Sequence, residues 1–174
     1  MARLWDKGKS LDGQVLAYTA GEDFELDNRL VAYDIRASIA HAKMLSACGL
    51  LKRKDEKAIS AALAAIGAEH ERGEWRVSLD LEDSQTAIEN RLTEKLGPLG
   101  GRLHAGRSRN DQVLAALRLY LRDVTSAIKD GALDVAKALE GIAKRQGKIA
   151  LPGYTHLQQA MPSSVALWAG GFDA

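Results

Sequence analysis

Residues 111–145 read DQVLAALRLYLRDVTSAIKDGALDVAKALEGIAKR, and this stretch decides the fold class. Apolar side chains recur along it at intervals of three and four residues, as they do on the face of a helix that packs in a bundle. The apolar positions are Leu114, Leu117, Leu121, Val124, Ile128, Val135, Leu139 and Ile142. A helix of about 35 residues is roughly 50 Å long, which is too long for a small domain and predicts the central helix of an extended bundle.

Composition favours an all-α fold for the rest of the chain. Hydrophobic residues make up 46% of the sequence but aromatic residues only 5%, and alanine and leucine dominate. Small and unbranched apolar side chains suit helix-on-helix packing, whereas sheets are rich in β-branched and aromatic residues. The chain is therefore expected to be a set of packed helices.

Shorter helices are expected on either side of the long one. The spacing of apolar residues predicts earlier helices at about 27–47, 55–73 and 82–95. A further helix should begin at Val165 after a serine cap, and residues 1–22, which show no sustained period, should form an irregular arm. The predicted organisation is an N-terminal helical domain, 1–110, followed by the incomplete start of a helical-bundle domain, 111–174.

Charge and cysteine content exclude several classes of function. Lys and Arg number 24 against 23 Asp and Glu, so no overall field attracts the chain to nucleic acid or to a membrane surface. No apolar run approaches the roughly 20 residues that span a bilayer. Cys48 is the single cysteine, and no secretory signal is evident. A cytoplasmic protein with a small-molecule or protein partner is expected.

A polar segment precedes the long helix. Residues 106–112 read GRSRNDQ and contain no apolar side chain. Two arginines offer bidentate recognition of carboxylates, and Ser108, Asn110 and the N–H groups at a helix start add hydrogen-bond donors, which together suit a polycarboxylate. The alternative is a solvated segment in which Ser108, Asn110 or Asp111 only caps the helix.

A second polar segment follows the long helix and is expected to form a loop. Residues 153–162 read GYTHLQQAMP. Histidine titrates near neutral pH, so His156 is a candidate for proton transfer, with Thr155 and Gln158 as neutral hydrogen-bond donors to a substrate. The alternative is that His156 is a surface or structural residue, as most loop histidines are.

A third polar segment, residues 82–89, reads EDSQTAIE and opens a predicted helix, so capping and the helix dipole account for much of it. No metal or cofactor site is expected, because the four histidines and the single cysteine form no HxxxH or CxxC pattern. His41 lies among apolar residues of the first predicted helix and is expected to pack there.

These segments resemble those of argininosuccinate lyases. Residues 106–112 are similar to the GRSRNDQ segment of that family, and residues 153–158 are similar to its GYTHLQ segment, in the same order and at similar spacing. Residues 34–42, DIRASIAHA, resemble the first helix of the family. The resemblance implies an all-α, fumarase/aspartase-type fold, in which an N-terminal helical domain leads into the long helices of a bundle, here truncated.

The resemblance also implies a reaction. Members of the family cleave argininosuccinate into L-arginine and fumarate by anti β-elimination, the last step of arginine biosynthesis, without a cofactor or metal. His156 matches the family's proton-transfer histidine and is the candidate catalytic residue. Ser108, Arg109, Asn110 and Thr155 are the candidate substrate-binding residues, since donors aimed at the developing dianion should supply much of the rate.

Family members assemble active sites from several subunits of a homotetramer. The two polar segments are expected to lie roughly 50 Å apart along the long helix, so their convergence requires a second copy lying antiparallel. The expected partners are therefore argininosuccinate and other copies of the chain, with no nucleic acid and no membrane.

The chain departs from the family pattern at three places. Gln85 stands where the family commonly has histidine, Gly21 lies near the position of a substrate-contacting serine, and the GSSxMPxKxN segment with its proton-transferring serine has no counterpart. The 174-residue chain alone is therefore expected to be inactive. An alternative hypothesis is a helical interaction or storage module that keeps the fold without the chemistry, as lens crystallins of this family do.

Overall fold

The computed structural model describes residues 12–172. The chain divides into two compact units, which in the described range comprise residues 12–121 and 122–172. The division lies inside the long helix rather than before it, and the domain assignment made from the sequence stays a prediction. Each unit is described by itself below.

The first unit is built from helices. They are α1 (Gly13–Ala20), α2 (Asp23–Asp27), α3 (Val31–Ala47), α4 (Arg53–Glu71), α5 (Ser84–Leu96), α6 (Pro98–Gly101) and the first third of α7 (Arg109–Gln146). Two 3₁₀ turns, Leu79–Leu81 and Arg102–His104, lie in the connections that precede α5 and α7. The helices predicted at 27–47, 55–73 and 82–95 correspond to α3, α4 and α5.

The core of this unit forms where α3, α4 and α5 pack together. Apolar residues three or four positions apart lie on one face of each helix and are buried there. They include Val31, Ile35, Ala42 and Leu45 of α3, Ile59, Leu63 and Ile66 of α4, and Ala87, Ile88 and Leu92 of α5. Burial of each large side chain stabilises the unit by about 1.5–3 kcal/mol, so the packing of these three helices is a major source of the unit's stability.

The second unit contains the remainder of α7, four short strands and a last helix. The elements are β1 (Ala150–Leu151), β2 (Tyr154–Thr155), β3 (Gln158–Gln159), β4 (Ser163–Ser164) and α8 (Val165–Gly170). Strand β1 pairs antiparallel with β4, and β2 pairs antiparallel with β3, so that residues 150–164 form one long hairpin.

Two local contacts fix this hairpin and the helix after it. A Cβ atom at Gly153 would lie 2.1 Å from the carbonyl oxygen of Met161, so only glycine permits the strands to approach this closely. Ser164 then caps α8, because its hydroxyl accepts a hydrogen bond from the backbone N–H of Leu167 at 3.1 Å. The serine cap expected before Val165 is confirmed.

The all-α fold class is confirmed, and two local expectations need correction. The irregular arm predicted for residues 1–22 is wrong for Gly13–Ala20, which is helical because Asp12 caps it: its carboxylate accepts from the N–H groups of Gln14 and Val15 at 2.8 and 3.3 Å. Residues 1–11 lie outside the described range. The second polar segment is a hairpin rather than a loop, and strands of only two residues leave no detectable period in the sequence.

Within residues 12–172, none of the helices combines the length and the apolar character that a membrane crossing requires.

Candidate functional site

Ser108 caps the N-terminus of α7. Its hydroxyl donates to the carboxylate of Asp111 at 3.0 Å, and its backbone N–H donates to the same oxygen at 2.8 Å. These hydrogen bonds from Ser108 hold the pKa of Asp111 below its usual range. A serine paired with an acid three residues later is a capping box, so the capping role that the sequence leaves open is confirmed for Ser108. The side chain remains exposed and is still accessible to a ligand.

Arg109 is paired with Asp83. One terminal nitrogen of the guanidinium forms an ion pair with the Oδ2 atom of Asp83. The other carboxylate oxygen of Asp83 accepts from the backbone N–H of Thr86 at 2.6 Å and from its hydroxyl at 2.7 Å, and thereby caps α5. The capping function expected of residues 82–89 is confirmed for Asp83, and the same carboxylate ties the start of α7 to the start of α5.

Arg107 extends into the interior of the first unit. Both of its terminal nitrogens donate to the hydroxyl of Ser38 at 3.2 Å, and that hydroxyl donates to Asp34 at 3.0 Å. Burial lowers the pKa of the Arg107 guanidinium, although the charges of Asp34 and Glu89 oppose this shift. Burial raises the pKa of Asp34, opposed by the hydrogen bond from Ser38 and the charge of Arg107. This arginine is thus held by α3.

The four residues of the segment alternate in direction. Arg107 and Arg109 contact the chain's own carboxyl-bearing network, whereas Ser108 and Asn110 are exposed. The outward set adds a hydroxyl and an amide to the free N–H groups at the start of α7, where the helix dipole favours an anion. The bidentate carboxylate recognition expected of the arginines is not what their side chains do here, because each already has a partner within the unit. Direct contact of Arg109 with a substrate stays a prediction.

Gln85 is buried beside this network. Its side-chain nitrogen donates to the hydroxyl of Ser84 at 2.9 Å, and the amide also lies within hydrogen-bonding reach of Asp34. An amide does not titrate, so this position cannot relay a proton as a histidine could.

His41 connects α3 to the segment before α7. Its Nε2 atom lies 2.9 Å from the carbonyl oxygen of Ala105, which can only accept, so Nε2 carries the proton. Partial burial lowers the pKa of His41. His41 therefore not only packs on α3, as predicted, but also forms a hydrogen bond to the segment before α7.

Thr155 and His156 lie in the second unit, on the hairpin. Thr155 pairs with Gln158, and His156 and Leu157 form the two-residue turn between β2 and β3. Both turn residues have positive φ, 48° and 64°, as type I′ turns require. Such turns usually contain Asn-Gly, and a side chain larger than that of glycine costs about 1–3 kcal/mol at each position.

The strain in this turn is not offset by burial. Leu157 is 99% exposed, and His156 is also exposed. A folding requirement would favour Asn-Gly, so turn chemistry does not explain His-Leu at this position, and the catalytic role of His156 stays a prediction.

The sequence identifies Ser108 and Asn110 as candidate site residues, but it does not identify Asp34 and Ser38, which hold Arg107. Asp34 and Ser38 lie four residues apart on the buried face of α3, and both are almost fully buried. Two polar residues on an otherwise apolar helix face are a signal that could have identified them. Across residues 12–172, no group of three or more His, Cys, Asp or Glu side chains could hold a metal ion.

The chain is similar to known proteins over most of its length. The profile of a family described as "Lyase" matches residues 15–173. The chain belongs to this lyase family. Among curated relatives, the argininosuccinate lyase of Sorangium cellulosum (strain So ce56) is 47% identical over 170 residues, which are 98% of this chain and 40% of that protein. The argininosuccinate lyase of Thermotoga neapolitana is 45% identical over 168 residues, 97% of this chain and 42% of that protein.

The relatives and a solved structure bear on two of the expectations drawn from the sequence. The resemblance to argininosuccinate lyases predicted from residues 106–112 and 153–158 is confirmed by these relatives, although the chain spans well under half of their length. Among solved structures, a fumarate lyase from Mesorhizobium sp. BNC1 matches with a TM-score of 0.62 at 21% identity, covering 95% of this chain and 39% of that chain. This match supports the all-α, fumarase-type fold.

Proposed function

We propose that the protein containing this chain is an argininosuccinate lyase, which cleaves argininosuccinate into L-arginine and fumarate. The observation that carries the proposal is the alternation at residues 107–110. Two arginines are anchored within the unit, while Ser108 and Asn110 are exposed at the N-terminus of a long helix. Identities of 45% and 47% to proteins named argininosuccinate lyase support the choice of substrate.

The elimination demands stabilisation of an anion. Removal of a proton next to a carboxylate produces an aci-carboxylate dianion, and preorganised donors stabilise such charge best in a site that excludes water. Asn110 and the N–H groups of residues 109 and 110 supply these donors, and the hydroxyl of Ser108 joins them when the ligand replaces Asp111 as its acceptor. Arg109 adds positive charge at the same helix end, although part of that charge is neutralised by Asp83.

His156 is proposed to transfer a proton, and Thr155 to hold the substrate through its hydroxyl. An exposed imidazole at a hairpin tip can reach a bound ligand, and Thr155, the residue before it, is exposed on the same hairpin. The elimination needs a base for the carbon proton and an acid for the departing guanidino nitrogen, and a histidine serves either role near neutral pH.

Self-association into a homotetramer in the cytoplasm is part of the proposal. The face of α7 that the sequence predicts as a bundle seam is exposed at Leu114, Leu121, Ile128 and Val135, by 49%, 49%, 67% and 60%. A stripe of exposed apolar side chains at heptad spacing requires cover from other helices.

Cleavage of argininosuccinate, followed by the absorbance of fumarate, tests the proposed activity. The assay uses the protein encoded by the longest open reading frame that contains residues 1–174, and this protein is called the complete protein below. We expect fumarate to form from argininosuccinate, and we expect residues 1–174 alone to give no turnover. Activity of the complete protein on adenylosuccinate or aspartate, with none on argininosuccinate, would overturn the assignment.

A storage or interaction module without catalysis remains a second candidate, and the buried amide of Gln85 favours it, because that side chain cannot transfer a proton. The exposed pair Ser108 and Asn110 favours the enzyme. If His156→Asn leaves kcat of the complete protein unchanged, the non-catalytic function becomes the better assignment.

A further inference from the structure

A small cavity lies behind the anchored arginine. Among the described residues, three buried side-chain atoms have no hydrogen-bond partner: Oδ2 of Asp34, Nδ1 of His104 and Nε of Arg107. All three residues line the same cavity, which has a volume of about 10 Å³. Buried polar atoms are rarely left unpaired in folded proteins, and three that belong to residues lining one cavity call for a common partner.

The three atoms have complementary chemistry. The carboxylate oxygen accepts a hydrogen bond, the guanidinium Nε–H donates one, and the imidazole nitrogen can do either. A volume of roughly 10–15 Å³ accommodates one water molecule, and internal waters typically make about three hydrogen bonds. An ion fits less well, because the carboxylate of Asp34 and the guanidinium of Arg107 face the space with opposite charges.

We propose that this cavity binds one internal water, which bridges Asp34, His104 and Arg107 and makes Arg107 a positioning residue for residues 108–110. The water accepts from Nε of Arg107, donates to Oδ2 of Asp34, and uses its remaining capacity on His104. With the two hydrogen bonds to Ser38, each of the three nitrogens of the Arg107 guanidinium then has a partner.

Anchoring of Arg107 determines where its neighbours lie. Ser108 follows it directly, so the backbone position at which α7 begins is tied to α3 through this guanidinium. Arg109 ties the same turn to Asp83 at the start of α5. With both arginines fixed inward, Ser108 and Asn110 are held outward without the cost of ordering them when a ligand arrives.

The role of residues 108–110 in substrate binding rests on the proposed function. The bridging water and the conformational order of these residues do not depend on it. A crystal structure of the complete protein tests the water directly. We expect one ordered water within roughly 3.2 Å of all three atoms. A collapsed cavity, or an ion in the same place, would overturn the bridging water.

Amide hydrogen exchange tests the positioning role. We expect Arg107→Lys, which keeps the charge but loses the fork, to accelerate exchange of the hydrogen-bonded amides of Ser108, Asp111 and Gln112 by at least about tenfold in the complete protein. Arg102→Lys is the matched control, because Arg102 lies five residues earlier in an exposed ion pair with Asp55. In Arg102→Lys, exchange of residues 108–112 should stay at the wild-type rate.

A second variant protects the test against misfolding. Ser38→Ala retains Arg107 and removes only the hydroxyl that receives its two hydrogen bonds. Wild-type exchange rates at residues 108–112 in both Arg107→Lys and Ser38→Ala would overturn the positioning role, even in an active enzyme.

Kinetics separates positioning from simple loss of folded protein. For argininosuccinate, we expect Arg107→Lys to raise KM and to lower kcat/KM by about 10²-fold, since a misplaced donor costs that much. A variant that only unfolds would lose activity with KM unchanged, and that result also counts against the proposal. A wild-type protein without argininosuccinate lyase activity would remove the proposed function, while the exchange result would still decide the role of Arg107.

Discussion

Arg109 and Asp83 connect the N-termini of two helices through one carboxylate. One oxygen of Asp83 pairs with the guanidinium, and the other accepts two hydrogen bonds from Thr86 in the first turn of α5. The start of α7 is therefore positioned by the cap of another helix. A change at Asp83 should affect stability and the candidate site together.

Asp83→Asn should lower the free energy of unfolding by about 0.2–1 kcal/mol, because asparagine still caps α5 but the partly buried ion pair with Arg109 is lost. It should also raise KM for argininosuccinate, since Arg109 loses its anchor. Urea unfolding and steady-state kinetics measure the two effects. Asp130→Asn, an exposed acid on α7, is the control and should change neither quantity. A wild-type KM in Asp83→Asn would mean that the ion pair does not position the start of α7.

Ser108→Ala should separate capping from substrate binding. Loss of a serine cap costs about 1 kcal/mol, and the same cost is expected for Ser164→Ala, which removes the cap of α8. Only Ser108→Ala should in addition reduce kcat/KM, by about 10²-fold or more if its hydroxyl stabilises the dianion. Thermal unfolding and fumarate release distinguish the two variants. Equal kinetics in both would leave Ser108 as a cap alone.

His156→Asn should retain the turn and lose the chemistry. Asparagine tolerates positive φ better than most residues, so the melting temperature should not fall. The value of kcat should fall by roughly 10²–10⁴-fold, the usual contribution of a general acid or base. Leu157→Asn is the control at the neighbouring strained position and should keep most of the activity. Equal losses in the two variants would point to the shape of the turn rather than to the imidazole.

Asp34→Asn and Asp111→Asn should change the pH dependence of stability in opposite directions. Burial raises the pKa of Asp34 above 3.8, so the folded state binds more protons than the unfolded state above that pH, and this carboxyl's contribution to stability falls as pH rises towards its folded pKa. Hydrogen bonds from Ser108 lower the pKa of Asp111 below 3.8, so its contribution is present above that pH and is lost as pH falls.

Urea unfolding of wild type and both variants across the acidic range measures these contributions. The stability of wild type relative to Asp34→Asn should decline as pH rises above about 3.8, whereas that relative to Asp111→Asn should decline as pH falls below it. A flat pH profile in either comparison would contradict the corresponding pKa shift.

Local patterns predict much of this fold, and long-range contacts account for what they miss. The apolar spacing in α3, α4 and α5 identifies each helix, because one face of each must be buried. The direction of Arg107 has no such local cause. Its partner Ser38 lies 69 residues earlier, and Arg109 finds Asp83 26 residues earlier, so only the packed core shows that both side chains turn inward.

The hairpin illustrates a different limit. Strands β2 and β3 have two residues each, and His156 and Leu157 are an unfavourable pair for the turn that they form. Sequence rules that seek Asn-Gly therefore miss it. The same departure from good turn chemistry is the reason that His156→Asn is the variant to measure at this turn.

The alternation at residues 107–110 also limits how the chain can vary in length. Deletion of one residue between Gly106 and α7 would remove Arg107 or Ser108, and with it one anchor or one exposed donor. Insertion of one residue would change the spacing of Arg107 and Arg109, so that both could no longer reach Ser38 and Asp83. The segment should therefore tolerate a substitution at Ser108 or Asn110 with a folded, weakened product, but a change in the number of residues should disrupt the anchors and the exposed donors together.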